Sequence, residues 1–207
     1  MPLYNKATAR IEQLTATRTR IIEAARDAVA LGGWQGAQIA LIAARAGVAT
    51  GSVYRYFDSK ADLYAHVLAV VSQREVDVIT AIIDSEGPAS QRLADVIHAF
   101  STRAIRSRRL AYALIAEPCE PKIDAARLKY RAAVSDQITR VIGDGIMSGE
   151  FIAVDENIAA ACITGAFMEA LVGPLAPEAK PESKTAKEIA TTVAHLATRM
   201  LLKTKPP

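Results

Sequence analysis

Cysteine, histidine and aromatic residues are all scarce in this chain of 207 residues: two Cys, three His, and one Trp, six Tyr and four Phe. Cys119 and Cys162 are too few for a disulfide framework, and with His66, His98 and His195 they make no ligand-spaced metal motif. No glycine-rich phosphate loop, nucleophile elbow or paired loop acids occur. The expectation is therefore a non-enzyme without metal or cofactor. No run of alternating β-branched residues suggests a strand. The chain opens on Met1-Pro2-Leu3-Tyr4-Asn5-Lys6 with no apolar stretch behind it, so no signal peptide is expected. The one span-like segment, residues 158–176, carries Thr164 and Glu169 and is broken by Gly165, Gly173 and Pro174. Against the roughly 20 clean apolar residues of a membrane span, a buried helix is the better reading. A cytoplasmic protein without a membrane partner is expected.

Alanine, by contrast, fills 40 positions. It favours helix and adds little bulk, so the core should be closely packed helices. Helical periodicity runs through nearly every segment. Ile21, Ala25, Ala28 and Val29 form a stripe that stops at Gly32-Gly33. Short helices follow over residues 39–45 and up to Tyr56. Ser59 and Asp62 read as a capping box opening a long helix, with Leu63, Val67, Val70 and Val71 on its stripe. Gly87-Pro88 ends it. Further helices are expected around 93–100, 110–116, 123–146, 155–172 and 183–202. The fold class is all-α, with about nine helices. The division expected is a smaller N-terminal unit over residues 1–62, residues 1–16 being an arm, and a larger helical unit over 63–207.

Net charge is only +3, with a sequence pI of about 8.9. It is unevenly spread: residues 1–60 hold eight Lys or Arg against four Asp or Glu, a balance of +4, which leaves −1 for the rest. Within that basic portion, two short helices flank a turn centred on Gly47, the pattern of a helix-turn-helix. Gly47 suits a tight turn that needs positive φ. Ile42, Ala43, Val48 and Val53 would hold the pair against the first helix. The outer face is then left to Thr50, Ser52, Tyr54, Arg55 and Tyr56, with Lys60 just beyond. Hydroxyls and cations of this kind suit phosphate oxygens, and Arg reads guanine in the major groove. A solvated polar face has the same composition; the glycine turn and the local charge favour DNA.

Residues Ile42-Ala43, Ala46-Gly47-Val48, Gly51 through Phe57, Ser59-Lys60 and Leu63, with Gly33-Trp34 upstream, resemble the DNA-binding segment of the tetracycline-repressor (TetR) family. The resemblance covers about residues 18–64. It implies phosphate contacts from Tyr54, Tyr56 and Lys60, and base contacts at or beside Thr50, Ser52 and Arg55. Gly51 would bring backbone close to DNA, and Phe57 would anchor the next helix. Gln38 and Ala49 depart from the Ser or Thr caps common in the family. Short helices without them lean on tertiary packing, unless Thr50 caps instead.

The resemblance also implies a C-terminal ligand pocket and a dimer interface. Aromatic and polar residues in the larger unit make Phe100, Tyr112, Tyr130, Phe167, Met168 and Glu169 the pocket candidates. His98, Glu117, Arg127 and Arg131 are possible polar anchors; Arg127 and Arg131, spaced i, i+4, could bind an anionic effector, but a solvated face is the favoured reading. Gly165, Ala166, Ile189, Val193, Leu196 and Met200 are the candidates for a homodimeric four-helix contact. A purely intrachain core would show the same pattern. The function implied is a regulator, most simply a repressor, released from a palindromic double-stranded operator by a small-molecule effector. The alternative is an activator or constitutive DNA-binding protein whose larger unit binds a protein partner.

Overall fold

The computed structural model describes residues 2–179 and 185–202. Among these, nine helices succeed one another: α1 (Pro2–Gly36), α2 (Ile39–Ala46), α3 (Thr50–Val53), α4 (Lys60–Ile83), α5 (Ala89–Arg106), α6 (Arg108–Ile115), α7 (Pro121–Met147), α8 (Glu156–Leu175) and α9 (Ala186–Leu201). The all-α class stands, and the sole β-type pairing among the described residues is a bridge between Phe151 and Leu202.

Local chemistry accounts for most helix ends. Gly47 closes α2 in the left-handed region at φ 66°, its N–H reaching the carbonyls of Ala43 and Ala44. Ser59 accepts from the Asp62 N–H at 3.0 Å to start α4, whereas the Asp62 carboxylate reaches back to the N–H of Asp58 rather than to Ser59. Pro121 opens α7 at a position where a missing N–H costs nothing. Asp155 caps α8 through the Ile158 N–H, and Thr185 with Glu188 forms a reciprocal capping box at α9. Pro88 brings no capping side chain to α5; instead Glu150, from the turn after α7, accepts from the N–H groups of Ala89 (2.8 Å) and Ser90 (3.1 Å).

Two boundaries differ from the periodicity. The second helix of the pair is α-helical only over Thr50–Val53, and Tyr54–Tyr56 continue as a turn. Thr50 lies inside α3 and makes no cap, while Gln38 and Ala49 occupy the N-cap positions without a side-chain bond. These short helices accordingly rest on buried Ile42, Ala43, Val53 and Phe57, each large apolar side chain contributing about 1.5–3 kcal/mol on burial.

In the larger unit α4 packs along α7, α5 along α9, and α7 against α8. Leu63, Val67 and Ile79 on α4 and Val134, Ile138 and Val141 on α7 are buried in one continuous core. Helix α8 is long and apolar enough to cross a membrane by length and composition. One face, with Ile163, Phe167 and Leu171, is buried in that core. Its other face carries exposed Ile158, Ala161, Cys162, Gly165, Ala166 and Glu169.

Candidate nucleic-acid interface and ligand cavity

Burial of Val53 and Phe57 turns Thr50, Gly51, Tyr54 and Arg55 outward, with Tyr54 54% exposed. Among the described residues the Arg55 guanidinium has no ion-pair partner. Ser52 and Tyr56 are half-buried beside this face. Lys60 is half-buried too, its ammonium 5.3 Å from the centre of the Tyr64 ring, so it leans along α4. Arg18 of α1 lies 5.0 Å over the Phe57 ring, tying the first helix to the start of α4. Four of the seven candidate residues thus face outward on one short segment, and Ser52, Tyr56 and Lys60 flank them half-buried.

Behind that segment the chain turns at Gly33, whose φ of 66° and ψ of −167° break the helical run of α1. A side chain there would be strained and would collide with the Arg109 guanidinium and the Glu117 carboxylate. Glu117 is buried and accepts from both Arg109 terminal nitrogens, at 2.6 and 3.1 Å, and from the Trp34 N–H at 3.1 Å. The Trp34 indole N–H reaches the Ala113 carbonyl at 2.7 Å. Tyr64 donates its hydroxyl to the carbonyls of Trp34 and Ala37, and burial pushes its pKa up, with the nearby Cys119, Glu120 and Glu117 adding to the shift. Glu117, a possible pocket anchor by sequence, therefore belongs to a joint between α1 and α6.

Arg127 and Arg131 form no solvated face. Arg127 donates to the carbonyls of Ala113, Leu114 and Glu117, and Arg131 reaches that of Ile115 at 3.5 Å. Both cap the C-terminal end of α6, where cations offset exposed carbonyls.

The opposite side of α6 faces a cavity of about 260 Å³. Leu110, Ala111, Leu114 and Ile115 line it from α6, Phe100, Arg103 and Ala104 from α5, Val71, Ser72 and Glu75 from α4, and Tyr130 from α7. Of the six pocket candidates, Phe100 and Tyr130 are lining residues. Phe167 sits behind, edge-on to Phe100 at 5.0 Å. Tyr112 lies on the joint side, 6.0 Å beneath the Arg109 guanidinium. Met168 borders a separate shallow groove with Arg131 and Thr164. Glu169 is exposed on the single chain, on the face of α8 with Gly165 and Ala166, and does not line this cavity. Sequence reasoning missed Ser72, Glu75 and Arg103; the signal available was two polar residues three apart interrupting the apolar stripe of α4.

Of the dimer candidates, Gly165, Ala166, Leu196 and Met200 lie on the exposed faces of α8 and α9. Ile189 is buried within the chain and Val193 is half-buried.

Residues 21–67 match the family described as bacterial regulatory proteins, tetR family. Over those residues the chain is similar to that family, and the resemblance drawn from Gly47 through Lys60 holds. No curated protein matches it at the level of sequence. Among solved structures, FadR of Bacillus subtilis in complex with stearoyl-CoA is similar at 22% identity and TM-score 0.75, covering 87% of this chain and 97% of its own. A TetR/AcrR-family transcriptional regulator from Thermobifida fusca is similar at 21% identity and TM-score 0.65, covering 87% and 96%. RolR in complex with resorcinol is similar at 19% identity and TM-score 0.70, covering 92% and 90%. At these identities the likeness establishes the all-α fold alone.

Proposed function

We propose that the chain is a ligand-responsive DNA-binding transcriptional regulator of the cytoplasm, acting as a homodimeric repressor on a palindromic operator. Residues 1–62 act as the DNA-binding unit and 63–207 as the ligand-binding and dimerisation unit. The observation that carries this is the outward face of Thr50, Tyr54 and Arg55 on a buried helix-turn-helix scaffold. Tyr54, Tyr56 and Lys60 contact phosphates; Thr50, Ser52 and Arg55 meet or adjoin bases, and Gly51 lets the backbone approach.

The open faces of α8 and α9 pair with a second copy, so that Gly165, Ala166, Leu196 and Met200 leave water. A two-fold dimer places two recognition segments about one turn of DNA apart. A small molecule in the α4–α7 cavity presses on the side of α6 opposite the Trp34 joint. Displacing α6 there shifts α1 and changes the spacing of the two segments. Two similar proteins were solved with stearoyl-CoA and with resorcinol, which supports a small-molecule effector in this fold. Release requires that the ligand favour one spacing over the other.

A gel-shift titration against DNA flanking the chain's own gene tests the proposal. A specific, salt-sensitive complex at a palindromic site is expected. Indistinguishable binding to that DNA and to random duplex would contradict it.

A further inference from the structure

The cavity between α4, α5, α6 and α7 has an uneven lining that specifies its ligand's chemistry. Its α6 wall is apolar: Leu110, Ala111, Leu114 and Ile115. Polar groups collect on the α4 and α5 side. There the Arg103 guanidinium grips Glu75, with Nε 2.9 Å from Oε2 and 3.2 Å from Oε1, and Nη2 2.8 Å from Oε2. The two charges cancel. The second cation of the lining, Arg106, is exposed at the rim, where water solvates it.

Beside the neutralised pair stands Ser72. It is 6% exposed, and its hydroxyl oxygen has no hydrogen-bond partner. A buried serine within a helix ordinarily bonds a carbonyl one turn back; Ser72 does not. A buried hydroxyl left unpaired is costly and uncommon in a folded chain. The residue borders the cavity, and rotation about its χ1 turns the hydroxyl toward a ligand oxygen there.

We propose that this cavity takes an uncharged, mainly apolar molecule carrying one hydroxyl or carbonyl oxygen, which pairs with the Ser72 hydroxyl. A charged head group buried here loses its hydration and meets a cation already paired with Glu75, while Arg103 Nη2, 2.8 Å from Oε2 but without a hydrogen bond, offers the ligand oxygen a second donor. The volume of about 260 Å³ exceeds the roughly 150 Å³ that holds one benzene. A substituted single ring or a short branched chain is the size implied. The proposal rests on the reading of this cavity as the effector site, and adds the class of effector.

The test uses four probes of one shape: 3-phenylpropan-1-ol, 3-phenylpropanoate, protonated 3-phenylpropan-1-amine and propylbenzene. Their binding to the free full-length protein is measured by calorimetry, and release of operator DNA is scored separately. The alcohol is expected to bind about tenfold or more tighter than the acid or the ammonium. In Ser72→Ala, which keeps a good helix former, the alcohol's advantage over propylbenzene falls by roughly three- to tenfold while propylbenzene binds as before. Ala111→Phe, filling the space, abolishes binding of both. Tighter binding of the acid or ammonium, no binding by any probe, an unchanged alcohol advantage in Ser72→Ala, or undiminished binding in Ala111→Phe overturns the proposal. Release of operator by the acid instead would overturn the ligand class alone. An alcohol that binds at Ser72 without affecting DNA would overturn the effector reading alone.

Discussion

The indole N–H of Trp34 and the carbonyl of Ala113 are 2.7 Å apart, joining the end of α1 to the middle of α6. The same carbonyl accepts from Arg127 of α7 at 2.7 Å. One backbone oxygen is thus the meeting point of the helix that carries the DNA-facing unit, the helix that walls the cavity, and the helix that braces that wall. Trp34→Phe keeps the ring near Tyr64 and removes the donor, and Arg127 still satisfies Ala113. A loss of about 1 kcal/mol in unfolding free energy is expected. In operator binding measured with and without effector, the ligand-induced drop in affinity should shrink by several-fold, with ligand affinity largely retained.

Gly33 lies at the centre of the same joint. A methyl group there meets both the Arg109 guanidinium and the Glu117 carboxylate, at a φ that side chains rarely adopt. Gly33→Ala should therefore separate a buried ion pair as well as strain the backbone, costing about 3 kcal/mol or more. Chemical denaturation checks this against Gly36→Ala, where nothing lies within 4 Å of the added methyl and φ is not positive. That control should change stability by less than about 1 kcal/mol.

Glu150 caps α5 from a distant turn, and its pKa shows it. Desolvation raises the carboxyl, but the N–H groups of Ser90 and Ala89 and the Ser90 hydroxyl together outweigh it and hold it below its ordinary 4.5. A carboxylate lowered on folding contributes fully above its unfolded pKa and loses that contribution as pH falls through the folded value. Glu150→Gln should cost about 1 kcal/mol at pH 7. The gap between wild type and variant in urea melts should close as pH drops below about 4. A gap independent of pH would show that the cap does not depend on charge.

The exposed stripe on α8 and the outward side chains of α9 predict the assembly. Leu196 and Met200 are 57% and 56% exposed on the single chain. Leu196→Arg places a charge in the proposed dimer contact, and light scattering should report a dimer for wild type and a monomer for the variant at micromolar concentration. Met147→Arg, exposed at 82% at the far end of α7, should leave the mass unchanged.

The helices, the Gly47 turn and the outward placing of Thr50, Gly51, Tyr54 and Arg55 were legible in the sequence because each rests on local information: a 3.6-residue stripe, a positive-φ glycine, an apolar anchor at Val53. The cavity was not. Aromatic side chains mark a core as readily as a pocket, and only packing decides that Phe100 and Tyr130 border space while Phe167 fills it. Glu117 and Arg127 likewise read as ligand anchors, yet their partners, Trp34, Arg109 and the carbonyls of α6, come from elements brought close by the tertiary fold. Ser72 was the hidden clue, a polar residue on an apolar stripe whose lack of a partner appears only in three dimensions.

The central claim, sequence-specific DNA binding through the segment from Thr50 to Lys60, is tested most directly by fluorescence anisotropy. Wild type, Tyr54→Phe, Arg55→Ala and Lys60→Ala are titrated on the operator and on random duplex over a range of salt concentrations. Lys60→Ala and Tyr54→Phe should weaken both complexes alike, and Lys60→Ala should lower the salt slope by about one. Arg55→Ala should cost about 1–3 kcal/mol on the operator and relax preference at one base pair. Equal losses on operator and random DNA for Arg55→Ala would make it a phosphate contact, and no loss in any variant would contradict the account.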